Sequence, residues 1–437
     1  MHAYLRFLSL LKHQDLMVWV LTRKTWIFLK HLLRNKTENV RHCNISMATF
    51  RLLITLLIFG GIGAVWLWSG SIGEFTVAPD VIYLPKLPDP PNEVNAVYMT
   101  SWSAASSKSI DYVERLVRDT EINAVVINVK DYSGYVVYDS AIPEVAQYGA
   151  KQVIIPDIAA LIARLHREGI YVIARIVVFQ DPVLAVARPE LAIHRASLRT
   201  TSSEAYTIDT LWFDRNGSAW IDPAAEDAWQ YIALIVREVD ILGFDEINFD
   251  YIRFPSDGDV LDTKYPVWDE IVPTHKILSA FFSFLREEFP QTRLSIDVFG
   301  IVTVRTQDEG IGQLLEDVYR YFDFVSPMVY PSHYAPGFLN FANPAEHPYE
   351  IVYDSMYRAR ERLVVLETVT ASSTTTSTPV RAAIRPWLQD FDLGAIYDTE
   401  KVRQQIEATR DALGDRFVGY MLWSPTNIYT EDALRYE

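Results

Sequence analysis

Residues 243–255 read Gly-Phe-Asp-Glu-Ile-Asn-Phe-Asp-Tyr-Ile-Arg-Phe-Pro, and their alternation decides the fold class. With the two-residue period of a strand, Glu246, Asn248 and Asp250 point one way while Ile247, Phe249 and Tyr251 point the other. A strand that is polar on one face and aromatic or aliphatic on the other suits a closed barrel. There the outer face lies under helices and the inner face lines the interior. At about 3.3 Å per residue, Asp250 lies roughly 13 Å nearer the C-terminal end than Glu246.

Working outward, seven more runs of similar character recur, at 96–101, 124–131, 171–179, 293–299, 324–330, 383–389 and 418–423, giving eight with 246–253. Helical patterns lie between them, and three end at Gly169, Gly243 and Gly414, where a helix terminates readily. Eight strand–helix units in one run, without a Gly-rich dinucleotide fingerprint after the first strand, predict a (β/α)₈ TIM barrel rather than an open doubly wound sheet. Long connections at 181–221 and 331–350 should build walls at the C-terminal face, where such barrels keep their sites. The Ser/Thr run at 372–378 reads as a solvated loop.

Residues 1–51 hold nine Lys/Arg against two acids, leaving 31 basic and 54 acidic residues for the rest of the chain. That negative field would repel phosphate backbones, so nucleic acid is not an expected partner. Residues 52–68 run 17 positions without a charge, extending in weaker form to 72, with Trp66 and Trp68 at the far end. This predicts a single transmembrane anchor at 52–72 contacting membrane lipid, with a cleaved signal peptide as the rival. The basic flank places 1–51 in the cytoplasm and the remainder outside. Residues 16–33 suit a basic stretch along the inner leaflet, whereas Met47 would make an ordinary start; both readings stand. A Pro-rich spacer covers 73–92 and the folded domain 93–437. The single cysteine, Cys43, precedes the anchor, so the exported part has neither disulfide nor thiolate metal site.

For chemistry, Asp250 is the first candidate carboxylate. Asp297, in Ser295-Ile-Asp297-Val-Phe-Gly300, is the second, since adjacent strands lie about 4.8 Å apart and the two acids can flank a glycosidic bond. Glu246 is a third acid on the same face, or else a buried layer residue paired with a Lys or Arg. Asp131 and Lys130 at the end of the second strand, Asn248, Arg253, Gln389 and Asp390 are candidate ligand contacts. Tyr330, His333, Tyr334 and Trp423 would add rings and hydrogen bonds. Seven tryptophans (Trp102, Trp212, Trp220, Trp229, Trp268, Trp387 and Trp423) fall in the main domain, and sugar clefts use such rings, although most should be core. No metal-ligand spacing or cofactor motif stands out, so neither metal nor cofactor is expected.

Taken together, AVVINVKDYSG (124–134), IARIVVFQDP (173–182), GFDEINFDYIRFP (243–255), DVFG (297–300), SPMVYPSHY (326–334), PWLQDF (386–391) and LWSPTNIYT (422–430) resemble the putative glycoside hydrolase domain family. These are prokaryotic glycoside-hydrolase-like barrels, and the similarity runs over 95–434. Asn128 and Tyr132 stand where the family carries acids, and Gln180 where Lys is usual. The resemblance implies the barrel and a carbohydrate-active function. The expectation is a membrane-anchored glycosidase that cleaves a cell-envelope or extracellular polysaccharide by carboxylate acid/base catalysis. The alternative is a barrel that binds such a glycan without cutting it, as a wall or export accessory.

Overall fold

The computed structural model describes residues 83–198, 206–372 and 379–435. Eight parallel strands form the barrel: β1 (Val94–Met99), β2 (Ala124–Lys130), β3 (Tyr171–Val177), β4 (Glu246–Asp250), β5 (Leu294–Phe299), β6 (Phe324–Met328), β7 (Trp387–Gln389) and β8 (Gly419–Trp423). Each pairs with its sequence neighbours, and β8 returns to β1 with Val94 opposite Gly419, which closes the sheet. The crossovers are α1 (Ser107–Asp119), α2 (Ile158–Arg167), α3 (Glu226–Ile241), α4 (Thr274–Glu288), α5 (Leu315–Tyr321), α6 (Pro348–Ser372) and α7 (Thr399–Leu413). Gly169, Gly243 and Gly414, placed after α2, α3 and α7, all have positive φ, as their helix-ending role requires.

All eight expected strands exist, several ending one to three residues early, and in two the interruption has an identifiable cause. β4 ends at Asp250 rather than Arg253 because Tyr251 adopts φ 51°, a left-handed conformation that turns the chain at the barrel mouth. The run 383–389 breaks into Ala383–Ile384 and Trp387–Gln389 around Pro386, which has no N–H to give to a ladder. Two short strands missed by the sequence reading, Val136–Tyr138 and Lys151–Ile155, extend the sheet beside β2. In the described parts of the 181–221 connection Ala192 bridges Ile221, and Gln180, just before it, bridges Trp220.

The segments 1–51 and 52–72, and the spacer as far as 82, lie outside the described residues, as do 373–378 of the Ser/Thr run. Among the described residues no helix is long and apolar enough to cross a membrane. The end of the spacer packs on the barrel floor. Leu84 N–H donates to Ile241 O (2.8 Å), Lys86 pairs with Asp240 (2.6 Å), and Leu87 N–H donates to Asp245 (2.7 Å).

The main apolar core lies between strands and helices, where Ile247 and Phe249 are fully buried as the outward face of β4. Inside the barrel small residues such as Ala96, Ala124 and Val126 leave room for a polar layer. Glu246 belongs to that layer. It is fully buried and ion-paired with Arg385, and it accepts a hydrogen bond from Tyr171 Oη (3.2 Å). The Arg385 guanidinium stands over the Phe324 ring at 4.4 Å, while its Nε and Nη1 find no partner among the described residues. Glu246 is therefore the carboxylate that, among the described residues, compensates the buried Arg385 cation, and it does not line the cleft at the barrel mouth.

Two stability outcomes follow. Gly419 has φ 106°, and a Cβ there would be driven into the Val94 backbone across the closing seam. Gly419→Ala should cost at least about 2 kcal/mol, read as a fall in the denaturant midpoint. Glu246→Gln leaves Arg385 charged and unpaired in the interior, so thermal or chemical unfolding should show a loss of about 3–5 kcal/mol.

Candidate active site

At the C-terminal mouth the site is organised by Arg175, whose side chain enters from β3. The register places Arg175 beside Asn248 and Val177 beside Asp250, so the long guanidinium reaches up to the last residue of β4. Its Nη2 forms an ion pair with Asp250, its Nη1 donates to Asn128 Oδ1 (2.8 Å), and its Nε lies 3.8 Å from Asp297 Oδ2. Burial works against its charge, but the Asp250 carboxylate beside it leads the interactions that outweigh this and hold its pKa above the ordinary arginine value. Asn128 passes the network on by donating to Tyr98 Oη (2.8 Å).

The two candidate acids sit in different surroundings. Asp250 accepts from the Tyr251 N–H (2.6 Å), a contact that the left-handed turn at Tyr251 creates, and it lines the cleft. Asp297 is 1 % exposed, and its Oδ1 accepts from Asn248 Nδ2 (2.9 Å) and Trp387 Nε1 (2.7 Å). Burial first, then the negative charge of Asp250, push its pKa up to about 8; Arg175 and the hydrogen bonds from Asn248 and Trp387 pull the other way without cancelling this. Near neutral pH Asp297 therefore carries a proton beside an ion-paired carboxylate, which is the division of labour that acid/base cleavage uses.

Two adjoining hollows share Asp250, Tyr251, Met328, Tyr330 and His333. One, of about 750 Å³, runs toward Arg253, Phe299, Arg305, Tyr334 and Phe338. The other, of about 430 Å³, holds Arg175, Asp297, Trp387, Phe391 and Trp423. The Tyr330, Phe391 and Trp423 rings pack at 5.0–6.2 Å from one another as an aromatic wall. Burial pushes the His333 imidazole down and so favours its neutral form. Gly300 admits the close approach of the next wall, since a Cβ there would lie 2.5 Å from Met328 O and 2.7 Å from Tyr334 Oη.

Of the residues singled out from sequence, Asp250, Asp297, Arg253, Tyr330, His333, Tyr334 and Trp423 line this cleft. Asn248 lies just beneath, donating to Ser295 Oγ (3.1 Å) and Asp297. The others serve the scaffold. Lys130 is fully buried, paired with Asp181 (2.9 Å) and donating to Val177 O (2.8 Å). Asp131 accepts from Ser133 N–H (2.9 Å) and the Ser133 hydroxyl in its own turn. Gln389 accepts from Ser332 Oγ (2.8 Å) and donates to Phe391 O (2.9 Å), while Asp390 accepts from Thr430 N–H (2.9 Å) and Oγ1 (2.7 Å). None of these four, nor Glu246, lines either hollow. Tyr251, placed outward by simple alternation, instead turns into the cleft. Arg175 and Phe391 were missed; a lone arginine in the otherwise apolar run 171–179 was the signal for the first. Of the seven tryptophans of the main domain, Trp387 and Trp423 line the cleft. Among the described residues no group of three or more His, Cys, Asp or Glu side chains is arranged to hold a metal ion.

The chain is similar to several solved structures and to one family of sequences. A hypothetical protein from Ruminiclostridium thermocellum is 35% identical over 46% of this chain and 97% of its own, with a TM-score of 0.41. The PgaB (BpsB) glycoside hydrolase domain from Bordetella bronchiseptica is 14% identical over 80% of this chain and all of its own, with a TM-score of 0.50, a likeness of fold. The α-galactosidase TtGalA from Thermus thermophilus is 12% identical over 80% of this chain and 65% of its own, with a TM-score of 0.45. No curated protein matches the sequence. Residues 96–429, nearly the whole described barrel, match the family model described as "Putative glycosyl hydrolase domain", and the chain belongs to that family.

Proposed function

We propose that the barrel is a glycosidase acting on a cell-envelope or extracellular polysaccharide, with Asp297 as proton donor and Asp250 as the carboxylate facing the anomeric carbon. The observation that carries this reading is the pairing of Asp250 and Asp297 across Arg175, one ion-paired and the other protonated up to about 8, in an aromatic-walled cleft. Asp297 gives its proton to the glycosidic oxygen as the C1–O bond breaks. Asp250 meets the positive charge that develops at C1, either by bonding to it or by taking a proton from the attacking water. Trp387 and Asn248 orient Asp297, and Arg175 holds both acids in register. Family membership and the fold shared with the PgaB glycoside hydrolase domain support the reaction class. The basic flank and apolar run before the barrel support an outward-facing, membrane-tethered enzyme.

Incubating the purified protein with wall and exopolysaccharide fractions should release new reducing ends. Retention without release would instead make it a glycan-binding barrel. Asp250→Asn should lower kcat by at least about 10²–10⁴-fold while leaving the protein folded.

The protonated form of Asp297 is the acid, so kcat/KM should fall as pH rises through about 8. The folded chain holds that proton up to about 8, whereas an unfolded aspartate releases it near 4. The stability gained from protonation is thus complete at acid pH and lost as pH rises toward 8. Asp297→Asn should remove the alkaline limb of the activity profile and flatten the melting temperature over the same interval.

Protease added to intact cells should reach the barrel. Protection until the membrane is lysed would refute the outward orientation.

A further inference from the structure

Buried cations of the barrel each bring their own carboxylate: Lys130 has Asp181, Arg175 has Asp250 and Arg385 has Glu246. Arg253 breaks the pattern. It is 7 % exposed, yet no carboxylate among the described residues comes within ion-pair distance of it. Its Nη1 donates to Phe254 O (3.0 Å) and Ser256 Oγ (3.1 Å), while Nε and Nη2 make no hydrogen bond among the described residues. What holds the charge is a set of ring faces, Phe299 at 4.7 Å, Trp220 at 4.8 Å and Tyr251 at 5.5 Å. Burial pulls its pKa down, and Asp250, Asp257 and Asp214 act on it only through space. An arginine nevertheless stays charged, so a desolvated cation is left with open donors. The remaining exposure faces the larger hollow, which Arg253 lines together with Asp250. Arg305 lines the same hollow, and its ion pair with Glu309 is a loose 3.9 Å.

We propose that this hollow binds a sugar carrying a carboxylate, one unit along the chain from the bond being cleaved, and that Arg253 is its specificity-determining contact. The substrate class is then an acidic polysaccharide of the uronate type. A planar guanidinium matches a carboxylate through paired N–H donors, and the aromatic cage fixes that fork in advance. Phe299, Tyr334 and Phe338 supply the apolar surface on which the sugar ring packs. The protein's net charge of −16 opposes a densely charged polyanion. One strong cation in an acidic protein therefore selects a glycan whose carboxylates are spaced by neutral sugars.

The proposal rests on the glycan-cleft reading but is tested apart from it, by binding. Oligosaccharides of hyaluronan, xanthan and gellan, each beside its carboxyl-reduced counterpart, are titrated into the full chain by calorimetry. A sulfated neutral oligosaccharide serves as a control for charge alone. At least one acidic form should bind about 10- to 100-fold tighter than its reduced partner, the range expected for hydrogen bonds between charged groups. The sulfated control should show no such gain.

Arg253→Gln should collapse the acidic-over-neutral ratio toward one, and Arg253→Lys, which keeps the charge but not the fork, should recover only part of it. Arg305→Gln, at the exposed rim, should lower the ratio a few-fold and weaken its salt dependence. Should Arg253→Gln fail to fold, the wild-type ratio and the Lys variant still decide. Equal binding of paired forms, binding of neither, or a ratio that survives in the Arg253 variants overturns the proposal. Acidic preference without cleavage would sink the hydrolase reading alone, whereas cleavage of neutral glycans without that preference would sink only this one.

Discussion

Closing eight strands into a barrel removes the inward-facing residues of each strand from water, so each charge placed inside needs a counter-charge inside. β4 carries three such residues, and each sets a different level of the interior. Glu246 balances Arg385 in the lower layer, Asn248 supports Asp297 above it, and Asp250 meets Arg175 at the mouth. Leaving one partner of a buried charge pair alone is far more costly than forming the pair gains. The interior therefore tolerates few substitutions, and the site inherits that rigidity.

The site exploits this constraint through unequal satisfaction. Asp250 has a cation and a backbone donor, while Asp297 has hydrogen bonds but little solvent and a negative neighbour. Two identical carboxylates a strand apart thus meet different surroundings, and Asp297 is the one whose pKa burial pushes up. Arg175 carries the asymmetry, because it contacts one acid directly and the other only at 3.8 Å. The left-handed Tyr251 belongs to the same device. By ending β4 abruptly it aims its own N–H at Asp250 and swings Arg253 against Trp220 and Phe299 beside the cleft.

Much of this was legible in the sequence. Alternation in 246–250 is a local property, and it correctly put Glu246, Asn248 and Asp250 on the inner face and Ile247 and Phe249 outside. Glycines after α2, α3 and α7 marked helix ends for steric reasons that need no knowledge of the rest of the chain. Asp297 was found in the same way, from strand period and position. Ring-bearing motifs after the sixth and eighth strands likewise led to Tyr330, His333 and Trp423.

What the sequence could not decide was which polar residues would be consumed by one another. Lys130, Asp131, Gln389 and Asp390 sit at strand ends, as ligand contacts do, but they bond to Asp181, Ser133, Ser332 and Thr430 and line neither hollow. Glu246 met Arg385, 139 residues away, and only the closed barrel brings the two together. Arg175 was visible as a lone charge in an apolar strand, yet its reach to both acids depends on the stagger between β3, β4 and β5. Chain-local periodicity determined the strands, their faces and the two candidate acids. Only tertiary packing, by removing water and distributing a limited set of counter-charges, decided which acid holds a proton, which residues line the cleft and which buried cation has no carboxylate beside it among the described residues.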